Sequence, residues 1–187
     1  MAVTSEDLVG GLEHVLHEIR LLVGALCLAR QRRMRLSLPP DALNPDLLSL
    51  AVRAAPIELP ALHASHLLAF FAAQAPSEDH LLATQYFSAF SLDAKLRQRL
   101  DALAERVEAQ VAPLTASRVS REGQHTGPHS YSFPCGEFLP LFECCRRFAA
   151  EVLESNWLDG APPLSRDDWQ QIRDSLDAVI REAAQNS

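Results

Sequence analysis

Aromatic residues are scarce in this chain: Phe, Trp and Tyr together make up 6% of its 187 residues. Leu and Ala dominate the apolar set instead. Strands draw on aromatic and β-branched side chains and helices on Leu and Ala, so this composition predicts an all-α protein. Long apolar runs are also missing. None approaches the roughly 18–20 residues that a bilayer span requires, and no membrane partner is expected. Four cysteines, Cys27, Cys135, Cys144 and Cys145, are too few for a disulfide framework in a chain of this size, so free thiols are expected. Positive charge falls short of negative, with a formal net charge of −7. That balance disfavours RNA or DNA as a broadly coated partner and leaves room only for a local basic face. Of the 17 basic residues all but Lys95 are Arg, a bias of genome composition more than of mechanism. The opening "MAVTSEDLVGGLEHV" has acidic residues where a signal peptide carries a basic stretch, which predicts a cytoplasmic location. No glycine-rich phosphate loop and no nucleophile elbow occurs.

What is present suits one helical domain over residues 1–187. Hydrophobic residues at 48% and charged residues at 22% exclude wholesale disorder and supply a core. Leu8, Leu12, Val15, Leu16, Ile19, Leu22, Val23 and Leu26 repeat at helical spacing within 6–35, with Ser5 as the expected N-cap. The basic cluster from Arg30 to Arg35 then complements the helix dipole. Pro39, Pro40, Pro45 and Pro56 predict a loop and one short helix over 45–54, followed by a separate helix over 60–74 that opens on Pro60. A short helix started by Asp79 is expected across 80–89. Ser91 is the expected cap of a long helix whose stripe is Leu92, Leu96, Leu100, Leu103 and Val107. Residues 116–136 read as loop, 137–154 as helix, and 157–163 as a turn or short linker. A last helix over 166–184 starts on a capping-box-like pair, Ser165 and Asp168. The whole predicts a helical bundle of four long helices plus short ones.

Three groups of residues could carry chemistry. His63 and His66 in "HASH", and His14 and His17 in "LEHVLHE", stand at i, i+3 on helices, a spacing that can bring two imidazoles to one metal. No third ligand is evident near either pair, so the residues read as buried or interfacial histidines and no metal or other cofactor is assigned. Cys144 and Cys145 in "FECCRRF" point about 100° apart on a helix. Arg146 and Arg147 beside them could lower a thiol pKa, but the pair reads as two small apolar residues. "PSEDHLL", with Asp79, is faintly similar to the Asp-His element of helical chaperones that mature molybdenum oxidoreductases. It supplies a protein-maturation chaperone as one alternative.

Three further stretches, "HASHLLAFF" at 63–71, "PSEDHLLATQYF" at 76–87 and "EAQVAPLTASR" at 108–118, together resemble the HEPN-type helical domains, in particular an uncharacterised bacterial branch. The resemblance covers about 55–155. It implies a helical bundle, a homodimer, and in many members metal-independent RNA cleavage by an Arg and a His a few residues further on. In such a pair the imidazole exchanges a proton near neutrality while the guanidinium steadies the anionic phosphorane. Arg106 matches the family's Arg, but Pro113 stands at the His position, where it offers no titratable group and removes a backbone donor. Ser65 replaces the branch's Arg, and Glu108 and Ala109 replace its Asn-Lys pair, reversing the charge that a phosphate would meet. The resemblance therefore implies a catalytically silent scaffold or interaction module, a pseudo-enzyme with a homodimer or protein partner. The rival is a ribonuclease with a shifted site, built from Arg106 or from Arg118 and Arg121 with His125. The sequence "RVSREGQH" runs into Gly123, Gly127 and Pro128, so that second set reads as exposed loop.

Overall fold

The computed structural model describes residues 4–31, 45–72, 81–111, 135–159 and 165–185. Among them no strand occurs, and the protein is all-α as its composition predicts. The helices are α1 (Ser5–Gln31), α2 (Pro45–Ala72), α3 (Ala83–Tyr86), α4 (Ala94–Val111), α5 (Leu139–Glu154) and α6 (Arg166–Gln185). A 3-10 turn, Cys135–Phe138, leads into α5. None of the helices is long and apolar enough to cross a membrane.

Side chains define several helix starts, though not always the expected ones. Ser5 is already helical, and Thr4 caps α1: its hydroxyl oxygen accepts the Asp7 N–H at 3.2 Å, while Asp7 Oδ2 accepts the Thr4 N–H at 2.8 Å. The reciprocal pair needs a residue three positions before an acid, which Thr4 has in Asp7. For α4 the cap is Asp93 and not Ser91, since Asp93 Oδ1 accepts the Leu96 N–H at 2.7 Å. Ser165 does start α6: its Oγ accepts the Asp168 N–H at 3.1 Å and donates to Asp168 Oδ2 at 2.6 Å.

The larger departure is α2. One helix runs unbroken through Pro56 and Pro60, where a short helix and a separate one are expected from the prolines. Each proline costs about 3 kcal/mol or more inside a helix. Past Pro60, however, Ala61, Ala64, Leu67, Leu68, Phe70 and Phe71 are all buried. At ~1.5–3 kcal/mol for each large apolar side chain, their packing outweighs the two interruptions.

The bundle is joined by α1 on α2, α2 on α4 and α5 on α6, with α1 also meeting α6. Two contacts establish that α1 and α2 are antiparallel. Gly11 lies against Tyr86, which packs on Phe70, whereas Glu18, two turns further along α1, meets His63 and His66. One hydrophobic cluster draws on all five long helices. The few aromatic residues concentrate there: Phe148 of α5, fully buried, has Phe70, Phe71, Tyr86, Phe87, Phe90 and Trp169 around it at centroid distances of 5.0–6.1 Å.

Candidate functional site

α4 carries Arg106, the arginine that the sequence resemblance singles out. Arg106 lies half exposed on that helix, and its guanidinium is ion-paired at 2.5 Å with Oε1 of Glu137, which the 3-10 turn before α5 presents to it. Two turns back along α4, Arg99 pairs with Glu143 of α5 at 3.3 Å. These residues border a shallow open groove of about 250 Å³, lined by Arg99, Ala102, Leu103, Arg106, Gly136, Glu137 and Pro140. Each arginine on this groove is answered by a carboxylate. Glu108 is exposed near the end of α4, and Ala109 belongs to the same helix. Ser65 lies on α2, where its hydroxyl donates to the Leu62 carbonyl at 2.7 Å, an ordinary back-bond within a helix. Pro113, Arg118, Arg121 and His125 lie outside the described residues, as do Asp79 and the arginines from 32 to 35.

The adjacent thiols are buried, and burial favours their protonated form. Burial, with the Glu143 carboxylate adding to it, pushes Cys144 up to about 12, and burial pushes Cys145 well above its ordinary value. Arg147 is turned away to the Ser91 carbonyl at 2.7 Å and to the Phe90 ring, and Arg146 faces Asp177 at 3.7 Å. Cys144 and Cys145 are core residues, as their placement on a half-buried helix predicts.

A second constellation lies where α1 and α2 face each other. The antiparallel register brings Glu18 of α1 to the His63–His66 pair of α2. Glu18 Oε2 is 2.9 Å from His63 Nδ1 and 3.1 Å from His66 Nδ1. An ionised carboxylate only accepts, so both rings carry their proton on Nδ1 in this arrangement. His63 is buried, Glu18 is partly buried, and the His66 side chain is 54% exposed, so the group opens to solvent on one side. Burial pushes the Glu18 carboxyl up, but the hydrogen bonds and charge of the two histidines outweigh it and hold the carboxyl below its ordinary range. The sequence shows no third residue of ligand type near His63 and His66; the structure brings one beside them, Glu18. It lies 45 and 48 positions away in the chain, and only the register of the hairpin joins them. His14 and His17 are exposed on α1 and do not join the group.

In comparisons with known proteins, no family model, no curated protein and no solved structure matches the chain.

Proposed function

We propose that the chain is a HEPN-like helical scaffold without nuclease activity, serving as a dimeric or partner-binding module. The observation that carries this reading is the Arg106–Glu137 ion pair. A guanidinium that steadies a phosphorane must be able to meet an incoming phosphate, and here it faces a carboxylate provided by the same chain. Glu143 answers Arg99 in the same way, so the groove offers RNA a locally balanced surface rather than a positive one. Pro113 removes the imidazole that the family reaction uses. The apolar residues of the resembling segments meanwhile pack as a frame: Phe70 and Phe71 of one, and Tyr86 and Phe87 of another, all surround Phe148. Partner binding has its own support in Leu21, Leu59 and Leu62, which are 37%, 39% and 42% exposed. By the antiparallel register they fall on neighbouring turns of α1 and α2, where three solvent-facing leucines suit a covered surface.

The test is incubation of the purified protein with a pool of labelled single-stranded and structured RNAs in EDTA, beside Arg106→Ala and His125→Ala. The expected result is no cleavage beyond that of the variants, with a solution mass of two chains by light scattering. Cleavage that disappears in either variant would establish the shifted-site ribonuclease instead.

A further inference from the structure

We infer that Glu18, His63 and His66 form a binding site for one divalent cation of the zinc class. Three donor atoms of suitable kind, one carboxylate oxygen and two imidazole nitrogens, lie within 4.8 Å of one another. Ligands held ~2.0–2.1 Å from one ion stand about 2.8–3.0 Å apart at right angles and about 3.3–3.4 Å apart at the tetrahedral angle. The carboxylate-to-imidazole separations of 2.9 and 3.1 Å already fall at the short end of that range. Both rings aim Nδ1 at the same oxygen, so a small outward movement of Glu18 opens the position for an ion among the three. Two of the donors come from successive turns of one helix and the third from its antiparallel neighbour, so helical backbone holds all three.

Proton balance permits the exchange. A neutral imidazole passes its Nδ1 proton through water to Nε2, which frees Nδ1 for the metal with no net release, whereas a charged one, protonated on both nitrogens, gives its Nδ1 proton to bulk water, so metal binding strengthens as pH rises. The two hydrogen bonds to Glu18 are replaced by three metal–ligand bonds, and a dication offsets the charge of the ionised carboxylate. The donor set selects the ion: imidazole nitrogen suits zinc and its transition-metal neighbours, whereas magnesium and calcium prefer all-oxygen shells. On the side where His66 is exposed, water can complete the shell, so the site has an open coordination position rather than the closed set of a purely structural zinc.

The experiment is equilibrium dialysis of EDTA-stripped full-length protein against zinc chloride, with metal content and thermal unfolding both measured. Wild type is expected to hold one zinc per chain and to unfold at a higher temperature in zinc. His66→Ala, at an exposed position, and Glu18→Gln, nearly unchanged in shape, are expected to weaken zinc binding at least tenfold and to lose the thermal shift. Magnesium should produce neither effect. Absence of stoichiometric zinc in wild type, or undiminished binding in both variants, would overturn the site. Retention in His66→Ala with loss in His17→Ala would place the zinc on the α1 histidines and overturn it equally.

Discussion

Gly11 illustrates how much one missing methyl group matters in this protein. A Cβ built there would overlap the Tyr86 hydroxyl and Leu81 Cδ1, so the absence of a side chain lets α1 lie against the segment carrying α3. Tyr86 cannot retreat easily. It is buried among Phe70, Phe148 and Trp157, its hydroxyl has no hydrogen-bond partner among the described residues, and burial raises its pKa. Gly11→Ala gains helix propensity yet is expected to lose stability overall, by about 1–3 kcal/mol, through overpacking. Urea unfolding of the two proteins measures the difference, and a more stable variant would show that the segment shifts freely. Nothing in "VGGLEH" distinguishes Gly11 from Gly10, which has open space around it. The distinction arises from what α1 faces.

Asp168 ties two helices together. It completes the cap of α6 with Ser165 and also receives the guanidinium of Arg20 from α1. The Ser165 hydroxyl first, and then Arg20, hold its carboxyl below the ordinary aspartate range. A lowered folded-state pKa means that the contribution is fully present above the unfolded value of about 3.9 and is lost as pH falls through the folded value. The melting temperature of Asp168→Asn is therefore expected to lie below that of wild type at neutral pH, with the gap narrowing in acid below about pH 4. A gap that stays constant down to the acid limit would remove the charge from the explanation. The cap was legible in "SRDDW" because capping pairs are local, three residues apart. Arg20 was not, because 148 positions separate it from Asp168. The continuity of α2 was hidden in the same way: the prolines are local signals, and the burial that overrides them is not.

Taken whole, the bundle closes around Phe148, on which six aromatic contacts converge among the described residues. Its removal leaves a cavity bordered by residues of α2, α5 and α6 and by the segment that includes α3. Phe148→Ala is expected to lose about 3–5 kcal/mol, the usual penalty for emptying such a site. Against a typical total of about 5–15 kcal/mol, a loss of this size removes a large share of the stability. Denaturant unfolding monitored by circular dichroism checks it, and a loss below about 1 kcal/mol would mean that the cluster collapses to fill the space.

Composition and periodicity were sufficient for the all-α class, for the buried stripe of α4 and for the start of α6, because each depends on residues a few positions apart along one helix. Tertiary structure decided the remainder: that Arg106 faces Glu137, that Arg20 reaches Asp168, and that Glu18 stands between His63 and His66. In each case the partners are far apart in the chain, and no local periodicity encodes which turn of one helix will face which turn of another. That register follows from the packing of apolar side chains across the whole core.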